Sequence, residues 1–279
     1  MIKKLCKVFL IIIVLFSLSS CNMLSGKESD NSLNKVKSSR KLVIGMLYDL
    51  APMGVLNPDT GEAYGFDVDI ANELCSRMGV KAEFVYLPWN LDGEDALSNS
   101  KADCIINGFD NITERQDYYA LSVPYINNRK VFMTSTNESI NVPYDLGGKV
   151  LGVHVGSSCE RVLNNNSNEN FRDSLGSIIS FENYDEAIKM LEKNQMDSIL
   201  IDELLARYYK SNQPEKFKFL VDQKGEIVYA FDVQCVVAVR RKALNLRTEI
   251  NRLLLEMSDD GTLSDLSVKW FGEDITVIK

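Results

Sequence analysis

The sequence predicts an α/β protein built from two lobes of similar size. Three observations lead to this prediction: strand patterns alternate with helix patterns from Lys41 onward, the alternation restarts near residue 130, and each half contains a strand that follows an aspartate and ends at a polar residue. Alternating strands and helices are typical of parallel sheets with helical crossovers. With 279 residues, 45% of them hydrophobic, the chain has ample material for two such lobes.

The first half begins with an apolar strand and an amphipathic helix. KLVIGML (41–47) is the strand, and it runs into a proline-containing loop. In FDVDIANELCSRMG (66–79) apolar residues recur every four positions and a glycine ends the pattern, which indicates a helix. The elements predicted next are a strand at 82–88, a short helix at 94–100 and a strand at 102–108.

The second half repeats the alternation after a strand at 129–135. Its predicted strands are at 149–156, 177–181, 197–202 and 217–222, and its predicted helices at 157–166, 184–195 and 203–211. A β-rich run at 228–241 and two amphipathic helices at 244–261 and 262–272 follow. In open parallel sheets ligands bind at the carboxyl ends of strands, so two lobes that present such ends to each other form a cleft.

The N-terminus has the pattern of an export signal. The first seven residues include three lysines and no acid, and VFLIIIVLFSL (8–18) is apolar except for one serine. This run is short for a bilayer span and typical of a signal-peptide core. It ends in LSSC, which resembles the lipobox of bacterial lipoproteins, so we predict a signal peptide at 1–20 and lipidation of Cys21. An unlipidated secretory signal and a short membrane anchor are the alternatives.

Residues 21–40 are predicted to be the lipidated cysteine and a flexible tether. The stretch is rich in serine, asparagine and lysine and lacks hydrophobic periodicity. By random-coil scaling its length corresponds to a reach of roughly 25 Å. The expected location is therefore the extracellular or periplasmic face of the cell membrane, with the body held there by a lipid anchor.

Charge and cysteine usage exclude several classes of function. The net charge is −8 and no basic stripe is present, which excludes a nucleic-acid-binding surface. Cys75, Cys104, Cys159 and Cys235 lack the spacing of a zinc site or a disulfide framework, so buried thiols are expected, with a disulfide still open. No metal or other cofactor is expected. The single histidine, His154, is expected to be structural; a nucleophilic pair with Cys159 is the alternative.

A series of short motifs resembles one known family. In chain order these are KLVIGM, GFDVDIANELCSRMGV, PW, KADCIINGF, TERQ, LSVPY, DLGGKVLGVHVGSS, NQMDSILIDE and MSDDGTLSDLSVKWFGE, which together extend from Lys41 to Glu273. Each motif is weak alone, but their order and spacing resemble the extracellular solute-binding proteins of polar amino-acid ABC importers, solute-binding family 3.

The resemblance implies the fold, the division of the chain and the activity. The fold is the two-lobed type II periplasmic-binding-protein fold, with two mixed, mainly parallel sheets joined by two hinge strands near 129–134 and 232–238. Lobe 1 comprises 41–130 and 235–279, and lobe 2 comprises 131–234. The resemblance further implies a monomer that is not an enzyme, binds an amino acid and delivers it to an ABC transporter permease. A small-acid dehydratase on the same fold is the alternative.

The resemblance also assigns residues to the two charged groups of a free amino acid. A guanidinium pairs bidentately with a carboxylate, and Arg115 stands where the family's carboxylate-binding arginine stands. The helix start at Ser157 and Ser158 is the second carboxylate donor, because backbone N–H groups are exposed there. Asp202 matches the aspartate that accepts from the ammonium, and Gly108 offers a carbonyl.

Several of these positions depart from the family or carry an alternative. Asp110 replaces a serine or threonine; it either shares the ammonium, contacts a polar or cationic ligand side chain, or is a surface turn residue. Trp89 is either a wall over the ligand side chain or a core residue. Leu50 replaces an aromatic lid, and Leu47 replaces an acid that selects cationic side chains. For Arg115 the alternative is a surface salt bridge. The sequence does not name the amino acid.

Overall fold

The computed structural model describes residues 30–87, Leu97 and residues 102–278. The predictions that lie outside the described residues are the signal peptide at 1–20, the lipidation of Cys21, the placement of Trp89 and most of the short helix at 94–100.

The described strands and helices follow the predicted alternation. The strands are β1 Lys41–Met46, β2 Asp49–Leu50, β3 Gly54–Leu56, β4 Ala63–Tyr64, β5 Lys81–Tyr86, β6 Cys104–Ile105, β7 Tyr119–Leu121, β8 Ile126–Asn127, β9 Lys130–Ser135, β10 Val150–His154, β11 Ser177–Phe181, β12 Ser198–Asp202, β13 Phe217–Phe219, β14 Tyr229–Phe231, β15 Gln234–Cys235 and β16 Ala238–Arg240. The α-helices are α1 Ser32–Ser39, α2 Phe66–Met78, α3 Thr113–Gln116, α4 Ser158–Leu163, α5 Glu169–Ser174, α6 Tyr184–Glu192, α7 Glu203–Asn212, α8 Leu244–Asp259 and α9 Thr262–Phe271.

The sheet of lobe 1 is mixed. Its strand order is β5-β1-β6-β16-β7, with β1 parallel to both β5 and β6 and with β16 antiparallel to β6 and β7. Because β1 and β6 are parallel, the loops that follow them leave the sheet at the same edge. There Asn107 Oδ1 accepts a hydrogen bond from the Leu47 amide at 2.8 Å, which joins the two loops.

The sheet of lobe 2 has the same plan. Its order is β11-β10-β12-β9-β13, with β14 also paired to β9. β10 is parallel to β11 and β12, whereas β9 is antiparallel to β12 and β13. In the register of β9 and β12, Lys130 lies directly opposite Asp202. Both residues therefore stand at the edge of this sheet that is occupied by the C-terminal end of β12.

Two short antiparallel strands, β8 and β15, join the lobes, with Ile126 paired to Cys235 and Asn127 to Gln234. The hinge was predicted near 129–134 and 232–238. The first of these ranges is displaced, because the residues from Lys130 onward already form β9 in the sheet of lobe 2.

The tether predicted through residue 40 is wrong for Ser32–Ser39, which form helix α1. Val36 is only 1% exposed, and α1 packs against α8. Ser32 Oγ accepts a hydrogen bond from the Leu246 amide at 3.2 Å, and the Asp30 carbonyl accepts one from Asn245 Nδ2 at 2.7 Å. Tertiary packing orders a segment that its polar composition alone does not identify as helix.

Apolar residues fill the core between the sheets and their helices. In lobe 1, Phe66 at the start of α2 meets Phe271 edge to face at 5.0 Å. The cysteines at 75, 104, 159 and 235 are all buried free thiols. Over the residues described here, no helix has the length and apolarity needed to cross a membrane.

Candidate functional site

Residues from both lobes enclose a small cavity where the strand ends of the two sheets face each other. Its volume is about 20 Å³, room for about one water molecule. We call it the interlobe cavity; lobe 1 contributes Leu47, Leu50, Gly108 and Asp110, and lobe 2 contributes His154, Ser157, Ser158, Tyr184 and Asp202. Six of the eight residues predicted to bind ligand therefore line one space.

Gly108 is held in the cavity wall by a buried carboxylate. The φ angle of Gly108 is +58°, in the left-handed region that favours glycine. Asp67 Oδ2 accepts a hydrogen bond from the Gly108 amide at 2.5 Å, and Asp67 Oδ1 accepts one from the Tyr125 hydroxyl at 2.8 Å. Burial raises the pKa of Asp67 to about 7, although both hydrogen bonds favour the ionised form. Asp67 thus links the first turn of α2 to the binding loop.

Asp110 and Asp202 form an acid cluster with Lys130. Lys130 Nζ lies 2.7 Å from Asp110 Oδ2 and also contacts Asp202 Oδ1. Asn128 Nδ2 donates to Asp110 Oδ1 at 3.1 Å and to Asp202 Oδ1. Asp110 is 3% exposed, so the surface-turn alternative for this residue is wrong.

In this cluster, burial and the neighbouring opposite charges act against each other on the pKa of Lys130 and on the pKa of Asp110. Burial by itself lowers the pKa of the Lys130 ammonium, but the charges of Asp110 and Asp202 outweigh it and the pKa rises. The pKa of Asp110 is raised by burial, against the opposing effect of Lys130, and the charge of Asp202 raises it further. Two carboxylates therefore share one internal cation.

The serines predicted from the helix start take two different roles. Ser157 is the N-cap of α4, and its hydroxyl accepts a hydrogen bond from the Glu160 amide at 3.2 Å. Ser158 Oγ donates instead to Asp110 Oδ2, across the boundary between the lobes. Ser158 is consequently a direct link between lobe 2 and the binding loop of lobe 1.

Arg115 is buried beside the interlobe cavity and is not among the residues that line it. The side chain is 4% exposed, so the surface salt-bridge alternative is wrong. Its Nη1 donates to the Asp110 carbonyl at 3.0 Å, and its guanidinium lies 3.9 Å from the centroid of the Phe109 ring. Burial lowers the pKa of Arg115 to about 10, which leaves it charged at neutral pH.

The structure adds contacts that sequence reasoning missed, above all those of Lys130. A lysine at the start of the otherwise apolar stretch KVFM was a visible signal, but its partner depends on the antiparallel register of β9 with β12. Tyr184, from the start of α6, also lines the cavity.

His154 has a structural role, as expected. Its ring stacks on Tyr184 with centroids 4.8 Å apart, and its Nδ1 and Nε2 lie 2.8 and 3.1 Å from the carbonyl oxygens of Val155 and Glu182. Burial raises the pKa of the Cys159 thiol, which disfavours the thiolate that a nucleophilic pair with His154 requires. Among the described residues, no group of His, Cys, Asp and Glu is arranged to hold a metal ion.

A larger open groove, about 850 Å³, lies near the hinge. Its most buried acid, Glu203, is already paired with Arg129 and Arg207 at 2.8 and 2.5 Å. The acids of the interlobe cavity also have internal partners, but they stand where the strand ends of the two lobes face each other. This position makes the interlobe cavity the stronger candidate site.

Comparison with known proteins gives consistent matches. The model of the family described as bacterial extracellular solute-binding proteins, family 3, matches residues 42–273. The chain is 32% identical to the L-cystine-binding protein TcyJ of Escherichia coli (strain K12) over 88% of this chain and 87% of that protein. It is 25% identical to the L-cystine-binding protein TcyA of Bacillus subtilis (strain 168), over 98% and 99% of the two chains.

Among solved structures, a substrate-binding protein of an ABC uptake transporter from Streptococcus pneumoniae, with bound histidine, superposes with a TM-score of 0.81. It is 27% identical and covers 90% of this chain and 100% of its own length. The fold similarity therefore includes both lobes and the cleft between them.

Proposed function

The chain belongs to the bacterial extracellular solute-binding proteins, family 3, and from this membership we propose that it captures a free amino acid and delivers it to the permease of an ABC importer. Its named relatives are binding proteins, so the chain is a binding protein and not an enzyme, and the dehydratase alternative is set aside.

One observation supports this proposal most strongly: acceptors for an ammonium and a donor for a carboxylate come together at the boundary between the lobes. Asp110 and Asp202 line the interlobe cavity, and both are carboxylates that suit an ammonium. Arg115 lies directly behind the Asp110 backbone. An α-amino acid carries both complementary groups on one carbon, so a single ligand can contact both sets.

The proposed binding cycle follows from the size of the cavity. A space of about 20 Å³ does not admit an amino acid, so the lobes must separate for entry. The ligand then docks on lobe 1 through Arg115 and Gly108, with Trp89 as a wall. Closure adds Ser157, Ser158 and Asp202 from lobe 2 and excludes water, which strengthens charge-assisted hydrogen bonds. The closed shape is the state that the permease recognises.

The anchor is the second part of the proposal. The lipobox-like LSSC supports lipidation at Cys21 and attachment to the outer face of the membrane. Mass spectrometry of the mature N-terminal peptide tests this directly. We expect a lipidated Cys21 as the first residue, and a Cys21→Ser variant that fractionates with the medium or the periplasm.

A thermal-shift screen against the twenty amino acids, cystine and small dipeptides tests the binding function. A ligand that binds only the folded state raises the melting temperature by mass action. We expect at least one amino acid to do so and to be recovered chemically unchanged. A screen in which none of them shifts the melting temperature contradicts the proposed function, and turnover of the bound compound contradicts a pure binding role.

A further inference from the structure

Lys130 is a fully buried charge placed within the candidate site, although it does not line the interlobe cavity. Its side chain is 0% exposed. Asp110 and Asp202, its two ion-pair partners, are both cavity-lining residues. The ammonium thus lies behind the two carboxylates that a ligand would meet.

The charges of this cluster can be counted. Two carboxylates and one lysine carry a net charge of −1, which one ligand ammonium neutralises. A ligand with a second cationic group would leave an uncompensated positive charge in a closed and water-poor space, where such a charge is costly. Arg115, which lies behind the Asp110 backbone, is also positive and favours the ligand carboxylate.

We propose that Lys130 is a specificity-determining residue. It neutralises one of the two carboxylate charges and thereby restricts the site to amino acids whose side chain carries no net positive charge. Without Lys130, the same two carboxylates would suit a ligand with two cationic groups, such as arginine. The inference rests on the proposed amino-acid-binding function, whose ligand class it narrows.

Two features of the fold support this assignment. Lys130 lies directly opposite Asp202 in the register of β9 and β12, so its position is fixed by backbone pairing and does not depend on a flexible loop. Asp110 is tied to lobe 2 by Lys130 and by Ser158, so closure brings its charge to the lysine. The acid at 110 and the lysine at 130 therefore act as a matched pair.

The test compares the dissociation constants of two ligands within each variant. Calorimetry gives the ratio of the dissociation constants of L-arginine and of the neutral-side-chain amino acid that binds best in the thermal-shift screen. We expect the wild type to prefer the neutral ligand. In Lys130→Gln the ratio should move toward arginine by about tenfold or more. The repulsion between two unit positive charges at such short range in a protein interior exceeds the free-energy difference that corresponds to tenfold. Comparing two ligands on one variant removes the effect of partial unfolding.

Further variants separate charge from shape and from loss of folding. Lys130→Gln with Asp110→Asn restores the net charge of −1 and should return the ratio to near the wild-type value. Asp110→Asn alone should weaken the binding of both ligands and move the ratio of dissociation constants away from arginine. Lys216→Gln, an exposed lysine of lobe 2 paired with Glu192, is the control and should change nothing.

Several results would overturn the inference while leaving the proposed function intact. These are a wild type that prefers arginine, a ratio unchanged in Lys130→Gln, or a ratio in Asp110→Asn that is unchanged or shifts toward arginine. If no amino acid binds to the wild type at all, the proposed function itself has failed.

Discussion

Arg115 shows how one side chain combines a structural and a proposed binding role. Its guanidinium stacks on Phe109 and donates to the Asp110 carbonyl, which fixes the plane of the guanidinium beside the cavity. A planar group with several donors can hold such a backbone contact and still present a fork to a carboxylate. A lysine ammonium carries the same charge, but it is not planar and cannot donate two parallel hydrogen bonds to a carboxylate.

We therefore expect Arg115→Lys to lower the calorimetric affinity for the amino-acid ligand about a hundredfold, because bidentate charge-assisted hydrogen bonds are lost. The melting temperature should fall by only a few degrees. Arg241→Lys is the matched control, since Arg241 also donates to a backbone carbonyl of lobe 1, that of Asp117 at 2.8 Å, but lies at the surface. Equal affinities of Arg115→Lys and the wild type would refute the carboxylate role.

At the scale of the element, helix α2 connects the core of lobe 1 to the binding loop. Asp67 and Asp69 both lie in its first turn. The structure separates them: Asp69 bonds to Lys269 and Trp270 of α9, whereas Asp67 is fully buried and holds Gly108 and Tyr125. A change in the charge of Asp67 thus acts on stability and on the site together.

The pKa of Asp67, raised to about 7, predicts a pH dependence of stability. An acid with a raised pKa binds its proton more tightly in the folded state, so the free energy of unfolding falls as pH rises from about 4 to about 7. The full effect is roughly 4 kcal/mol. Denaturant titrations at several pH values should show this decline in the wild type and a flatter profile in Asp67→Asn. Asp69→Asn should keep the decline; a wild-type profile already flat over this range contradicts the assignment.

The elements also show which parts of the structure can be predicted from the sequence. Hydrophobic periodicity gives the order of strands and helices, and family spacing places Asp110 and Asp202 at strand ends that do meet. The contact between Lys130 and these acids depends on how β9 pairs with β12, and local patterns carry no information about strand pairing. The helix Ser32–Ser39 was missed for a similar reason, since it is stabilised by packing on α8, which is distant in sequence.

At the scale of the whole molecule, the polar contacts between the lobes include two sets within the part of the chain that the structure describes. One is the acid cluster with Ser158. The other is at the rim, where Asp49 Oδ2 of lobe 1 accepts hydrogen bonds from Asn183 Nδ2 at 2.9 Å and from the Tyr184 amide at 3.3 Å. Asp49 does not line the interlobe cavity and its partners here belong to lobe 2, so we expect it to influence binding through the equilibrium between open and closed forms.

Asp49→Ala should therefore lower the apparent affinity for every ligand by the same factor. Two partly exposed hydrogen bonds at about 0.5–1 kcal/mol each shift the ratio of closed to open molecules by roughly fivefold to thirtyfold, and the apparent affinity falls with the fraction of closed molecules. The ranking of amino acids should stay unchanged, and small-angle scattering of the ligand-free variant should show a larger radius of gyration. Asp59→Ala, an exposed aspartate in the turn between β3 and β4, is the control. A changed ranking would place Asp49 in the site itself, whereas an unchanged affinity and radius would show that the rim contact does not govern closure.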